Sequence, residues 1–318
     1  MFKRQLVGVA AVIAIGLAVP ASAVARADQG IPGAAAAGGG GSAMELVDTQ
    51  ARTGYAPVNG LQMYYEIHGE NQGTARPLVL LHGALSTIDV DFGAVLPVLA
   101  QTRQVIAVEQ QAHGHTADID RPLTFEQMAE DTVALLRQLN IERADFFGYS
   151  MGARIALEIA VRHPDLVRRL VLATPIYSRD GFHPGLLEGV ENLKPENLAG
   201  SPFQEAYARV APNPDDWPTL IARNGQLHRG LTGLPPEVIQ AITAPALLII
   251  GDSDVVRPEH AVELFRLLGG GVAGDIAGLP RSQLAVLPGT THITLVHRAE
   301  WLVSMITPFL DAPTPEGG

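Results

Sequence analysis

Short solid apolar runs alternate along this chain with longer amphipathic stretches. The runs at 77–81, 104–108, 169–172 and 246–250 carry almost no polar residue. A strand with one wet face would alternate polar and apolar positions, so these read as strands covered on both faces. Three further strands are expected over 61–68, 144–147 and 282–287. Phe125, Met128, Val133, Leu135, Leu136 and Leu139 recur at helical spacing and predict a helix over 125–140. Helices are also predicted over 151–161, 259–268 and 299–310. Strand–helix alternation of this kind predicts a parallel sheet with helices on both faces. Ligands on such sheets sit beyond the carboxyl ends of the strands, where reactive residues should be sought.

One stretch breaks the alternation. Residues 177–241 are rich in Pro and Gly, with helical pieces between turns. So long a structureless loop is uncommon in a compact domain, so this reads as a small helical cap inserted before the strand at 246–250. The N-terminus follows other rules. Lys3 and Arg4 precede an apolar run from Leu6 to Val19, and the small-residue patterns Ala21-Ser22-Ala23 and Ala25-Arg26-Ala27 follow. That is the layout of a secretory signal, and the run is shorter than the roughly 20 residues a spanning helix needs. A cleaved signal over 1–27 is expected, with export to the periplasm or exterior and no stable membrane anchor afterwards. Residues 28–44 contain Ala-Ala-Ala-Ala-Gly-Gly-Gly-Gly-Ser and read as a flexible tether. Residues 45–314 then form one α/β domain, and 315–318 a disordered tail.

Composition narrows the options. The 318 residues include 22 Lys+Arg against 33 Asp+Glu, a formal charge of −11, so the chain would repel nucleic-acid phosphates. Removal of 1–27 would take away three cations and no acid, making the chain more acidic still. Cysteine is absent, which excludes disulfides, thiolate zinc sites and cysteine nucleophiles.

Three reactive residue types follow predicted strands. Gly148-Tyr149-Ser150-Met151-Gly152 fits Gly-x-Ser-x-Gly between a strand and a helix, the setting of a nucleophile elbow. A serine there is presented above the sheet, and the Met151 N–H can stabilise an oxyanion. Gly251-Asp252-Ser253-Asp254 follows the strand ending at Ile250, and Pro288-Gly289-Thr290-Thr291-His292 follows the one ending at Leu287. A serine hydroxyl needs an adjacent base, which His292 would be, with an aspartate to orient the imidazole. His82-Gly83 follows the strand ending at Leu81. Its glycine permits close backbone approach, so the Ala84 N–H is a candidate second oxyanion donor, while the His82 side chain reads as structural.

The order His-Gly, Gly-x-Ser-x-Gly, Gly-x-x-Asp and Pro-Gly-x-x-His resembles the α/β-hydrolase superfamily over about residues 62–310, with the elbow and cap most similar to its serine carboxylesterase, lactonase and cofactor-free haloperoxidase branches. The resemblance implies an α/β-hydrolase fold. It assigns Ser150 as nucleophile, His292 as base, Asp254 as acid with Asp252 as the fallback, and the Ala84 and Met151 N–H groups as the oxyanion hole. Two departures stand out. The usual Asp-x-Arg-Gly-x-Gly-x-Ser becomes Glu109-Gln-Gln-Ala-His-Gly-His-Thr116, and Ala153 replaces a frequent glycine, where its methyl would crowd helix packing or the pocket floor.

The expected activity is cofactor-independent hydrolysis of a small carboxylic ester or lactone through an acyl-enzyme. Tyr149 and the cap residues Phe182, Phe203 and Trp217 are candidate pocket walls. Cationic residues of the cap are balanced by acids, which favours a neutral substrate. Carbon–carbon bond hydrolysis or perhydrolysis on the same triad, and a non-catalytic binding protein of the same fold, are the alternatives. No metal is expected, since His113-Gly114-His115 lacks the following acid and histidine of binuclear sites. The sequence leaves the oligomeric state open.

Overall fold

The computed structural model describes residues 51–70 and 76–313. The expected signal, tether and tail lie outside the described residues. Eight strands form one sheet in the order β1-β2-β4-β3-β5-β6-β7-β8. They are β1 (Arg52–Val58), β2 (Leu61–His68), β3 (Leu78–Leu81), β4 (Val105–Val108), β5 (Ala144–Tyr149), β6 (Val167–Ala173), β7 (Ala246–Ser253) and β8 (Gln283–Thr291). β1–β2 and β2–β4 pair antiparallel, and every later pair is parallel. β1 is not predicted from sequence, because Gly54, Ala56 and Pro57 interrupt any apolar alternation. As an edge strand it tolerates a proline that cannot donate to a ladder.

The apolar strands feed two cores in strict alternation. Val79, Leu81, Ile106, Leu172, Leu248 and Ile250 face one layer. Leu78, Leu80, Val105, Phe147, Val171 and Ile249 face the other. The period-two geometry of a strand buries alternate residues in opposite layers, which is why these segments contain few polar positions. The first layer is closed by α3 (Phe125–Gln138), α4 (Met151–Arg162) and α9 (Pro258–Leu267). The second is closed by α1 (Ile88–Phe92), α2 (Leu96–Leu99) and α12 (Ala299–Asp311). Thr124 caps α3 by accepting from the Gln127 N–H at 3.1 Å. Ala153 is fully buried in the first core, so its methyl is helix packing and not pocket floor.

Between β6 and β7 the chain leaves the sheet and builds α5 (Leu186–Glu191), α6 (Pro202–Val210), α7 (Trp217–Arg229) and α8 (Pro236–Gln240). The cap helices α6 and α7 share a small cluster of Leu198, Tyr207, Trp217, Leu220 and Ile221, which also takes in Ala112 of the loop after β4. Arg154, one turn along α4 from Ser150, ties this segment down. Its guanidinium donates to the carbonyls of Tyr177 and Thr232 at 3.0 and 3.1 Å and to Glu158 at 2.6 Å. Beyond β7, α10 (Gly274–Ala277) precedes β8, and α11 (His292–Leu295) follows it.

A second buried charge pair joins the sheet to the last helix. Asp145 on β5 is fully buried and receives the Arg168 guanidinium, which also donates to the Leu310 carbonyl at 2.7 Å. Burial pushes the Asp145 carboxyl up, against the pull of Arg168. Removing one partner of a buried pair strands the other charge, so Arg168→Met should cost about 3–5 kcal/mol of unfolding free energy in urea titration.

Candidate active site

The candidate triad residues each occupy the first position after a strand. Ser150 follows β5, Asp254 follows β7, and His292 follows β8. All three strands run further than the apolar runs suggest, ending at Tyr149, Ser253 and Thr291. β7 and β8 continue the ladder through exposed polar residues and β5 ends on the buried Tyr149, and this carries the three side chains to the carboxyl ends of the strands.

Ser150 sits at φ 54° and ψ −113°, a region that costs a non-glycine residue of order 1–3 kcal/mol. Two glycines make room for that turn. A Cβ on Gly148 would stand 2.2 Å from the Gly152 carbonyl oxygen, and one on Gly152 would stand 1.8 Å from that of Leu81. The Ser150 N–H is held by the Ala173 carbonyl at 2.9 Å. From this turn the serine Oγ reaches His292 Nε2 at 3.0 Å. His292 Nδ1 lies 2.8 Å from Asp254 Oδ1, which also accepts the Val256 N–H at 3.0 Å. The Asp254 carboxylate is buried, and its Oδ2 has no partner among the described residues. A carboxylate acceptor puts the proton on Nδ1, so Nε2 is the lone pair facing the serine.

Asp252 does not join this chain. It is exposed and accepts the Gly289 and Thr290 N–H groups at 3.0 and 3.2 Å, which hold its carboxyl below the usual range. It thereby anchors the turn that leads to His292. Thr291 and Thr294 close a reciprocal cap around the start of α11. Tyr149 adds a third restraint, since its hydroxyl donates to the His292 carbonyl at 2.9 Å. Burial raises the Tyr149 phenol well above its ordinary pKa, so it remains a donor.

The loop after β3 supplies the opposite wall. Asp91 on α1 is buried and accepts the Gly83 N–H and the Ser86 hydroxyl, both at 2.7 Å. With the Gly83 N–H occupied, the next amide is Ala84, which lines the same cavity as Ser150 and Met151. Met151 opens α4, so its N–H has no intrahelical acceptor. His82 is structural: its Nε2 accepts the Gln110 N–H at 3.1 Å, which places its proton on Nδ1, toward the Gly83 carbonyl at 2.7 Å. The divergent loop at 109–116 also braces the fold. Glu109 is buried and accepts from the Ile88 N–H at 3.2 Å and the His115 N–H at 2.5 Å.

These groups open into a cavity of about 260 Å³. Tyr149, Phe182 and Phe203 line it as the sequence suggests, with Phe125, Ile176 and Leu193. Trp217 does not. It is buried in the cap's own core, ring to ring with Tyr207 at 5.4 Å, because its position at the start of α7 points it toward α6. Polar residues also line it that the sequence does not single out, among them Arg154, Asn224 and His228. For Asn224 a signal was present. It falls in the buried stripe of α7 with Leu220, Ile221 and Leu227, where a polar residue requires a reason.

A model of the alpha/beta hydrolase fold family matches residues 76–213. With the sheet order and the helices on both faces, this decides the fold. The chain is a hydrolase with the α/β-hydrolase fold. It is 27% identical over 277 residues to a Bacillus subtilis protein named as the uncharacterized hydrolase YugF, covering 80% of this chain and 96% of the relative. Among solved structures it resembles the enol-lactonase of Burkholderia xenovorans, with TM-score 0.62, 23% identity, 81% of this chain and all of the other covered. It also resembles the 2-hydroxy-6-oxo-6-phenylhexa-2,4-dienoate hydrolase of a Rhodococcus, with TM-score 0.66, 18% identity, 83% of this chain and all of the other covered.

Two buried histidines near this hydrolase site resist protonation. Burial lowers His113 to about 3 and His260 to about 4. An unfolded histidine takes a proton near pH 6.5. The unfolded chain therefore binds more protons below that pH, and each group's contribution falls by about 1.4 kcal/mol per pH unit between 6.5 and its folded value. Raised carboxyls such as Asp91 act with the opposite sign at lower pH. The comparison of wild type with His113→Asn isolates the histidine. The stability difference between them should shift against wild type as urea titrations move from pH 7 to 5.

Proposed function

We propose that this enzyme hydrolyses carboxylic esters or lactones through a covalent acyl-serine. The observation that supports the reading most directly is the continuous hydrogen-bonded line from Ser150 Oγ through His292 to the buried Asp254. In the proposed reaction Ser150 attacks the carbonyl carbon while His292 Nε2 takes its proton. Asp254 keeps the imidazole in the required tautomer and stabilises the imidazolium that forms. The Ala84 and Met151 N–H groups receive the oxyanion, each donor contributing about 2.7–4 kcal/mol to lowering the barrier. His292 returns the proton to the leaving alkoxide, and water repeats the cycle on the acyl-enzyme.

The charge of the cavity favours neutral substrates. The solved Rhodococcus hydrolase is named for a dienoate, an anionic carbon–carbon substrate. Here Arg154 lines the cavity, but its guanidinium is already committed to Glu158 and two backbone carbonyls. An anionic substrate would have to compete with Glu158 for it. A neutral ester or lactone makes no such demand. Perhydrolysis would differ only in the molecule that attacks the acyl-enzyme.

We further propose that the protein works outside the cytoplasm, on the basis of the signal-like segment at 1–27. N-terminal sequencing of protein recovered from the periplasm or medium should begin at Val24 or Asp28, and an intact Met1 terminus in the cytoplasm would overturn this. For the chemistry, wild type should turn over a p-nitrophenyl ester series from acetate to dodecanoate with an initial burst, whereas Ser150→Ala should lose roughly 10⁶ in kcat. Asp254→Asn should lose roughly 10⁴ with little change in fold. Absence of both turnover and burst in wild type, with no labelling by a serine-directed organophosphonate, would point to a binding protein of the same fold.

A further inference from the structure

The cavity wall contributed by α7 does not match the rest. Its surroundings include Phe182, Leu193, Phe203 and Leu231, yet α7 presents Asn224 and His228, one helical turn apart. Residues spaced by four lie on one helix face, so the two polar side chains adjoin. Neither is explained by the proposed triad or by an ion pair within the cap.

Both groups offer acceptor capacity. His228 Nδ1 lies 2.9 Å from the Asn224 carbonyl, which can only accept, so the proton is on Nδ1 and Nε2 carries the lone pair. Burial lowers the His228 pKa, which keeps the ring neutral near pH 7. Asn224 is 2% exposed, and its Oδ1 is buried with no hydrogen-bond partner among the described residues. An orphaned acceptor in a mostly apolar wall is a standing desolvation cost, and native structures retain few without cause. A bound group with a donor proton would relieve it. Phe182 sits edge-on to the His228 ring, with centroids 6.2 Å apart, and limits the orientations that ring can adopt.

We infer that Asn224 and His228 form a polar subsite in the cap that binds a hydroxyl group of the substrate, remote from the reacting carbonyl. This rests on the ester or lactone hydrolase reading and narrows it to hydroxylated substrates. A hydroxyl donates one proton and accepts through its oxygen, so it can satisfy an acceptor while tolerating the Asn224 amide nitrogen beside it. A carboxylate could donate to neither Asn224 Oδ1 nor His228 Nε2. A hydroxyl donates to one of the two acceptors and a methyl group to neither, and sites built to bond a hydroxyl reject analogues that lack it far more strongly than apolar pockets reject size changes. The two residues are specificity-determining in this account and take no part in bond making.

The test compares p-nitrophenyl alkanoates with ω-hydroxyalkanoates of equal length, the terminal methyl replaced by a hydroxyl, from butanoate to decanoate. A second series compares acetates of linear alcohols with monoacetates of α,ω-diols, which places the hydroxyl on the alcohol side. At the length that reaches α7, wild type should prefer the hydroxylated ester by roughly tenfold or more in kcat/KM. Asn224→Leu and His228→Phe should each bring that ratio toward one, whereas His228→Gln, which keeps an acceptor, should retain part of it. If Asn224→Leu does not fold, the His228→Phe and His228→Gln pair still decides. Ratios near one at every length in both series would overturn the subsite and leave ester hydrolysis standing. Calorimetric titration of Ser150→Ala with ω-hydroxyalkanamides and plain alkanamides reads the subsite without turnover. Tighter binding of the hydroxylated ligand supports it even where no ester is cleaved, which would count against the hydrolase reading alone. Equal binding, or none, overturns it.

Discussion

A serine held at positive φ between a strand and a helix is the constraint from which the site follows. The backbone at Ser150 can turn so sharply only because nothing projects from Gly148 or Gly152. The turn swings α4 back against β3, closely enough that the Gly152 backbone meets the Leu81 carbonyl region, and it aims Oγ away from the sheet. It also leaves the first N–H of α4 free at the cavity wall. One local strain therefore sets the positions of the candidate nucleophile, an oxyanion donor and the helix that holds the cap through Arg154.

The surrounding polar network is organised to resist relaxation of that strain. Three separate devices fix His292: the Asp254 carboxylate on its ring, the Tyr149 hydroxyl on its carbonyl, and Asp252 on the turn before it. The opposite wall is fixed by Asp91, whose two oxygens hold Gly83 and Ser86. Tyr149 also packs where a Gly83 side chain would be, so the loop after β3 and the histidine loop share one buried phenol. The bonds of Asp254, Tyr149 and Asp91 are made in a low-dielectric interior, where bonds are stronger and unpaired groups more costly, whereas Asp252 acts at the surface. Rigidity of this kind suits electrostatic catalysis, since donors already in place need not reorganise as charge develops.

The cap obeys different rules from the sheet. One small cluster of its side chains stands apart from the two sheet cores, while Phe182, Leu187, Leu227 and Leu231 pack into the first sheet core and Arg154 bonds the segment's backbone. Its polar pair, Asn224 and His228, lies among apolar walls and lines the cavity that Ser150 also lines.

The sequence by itself determined the parallel core, because strands buried on both faces must be apolar throughout, and that pattern stands in 77–81, 104–108 and 246–250 without ambiguity. It also determined the order serine, acid, histidine, each after a strand, since tight turns demand glycine at fixed offsets. Only the tertiary structure decided between Asp254 and Asp252, which differ by two positions in sequence yet face the histidine ring and the turn backbone respectively. Only the tertiary structure placed Trp217 in the cap core and Asn224 in the cavity. Hydrophobicity states how strongly a side chain avoids water, but not which of two buried surfaces it will join. That choice depends on where neighbouring helices pass, which is a property of packing and not of the local chain.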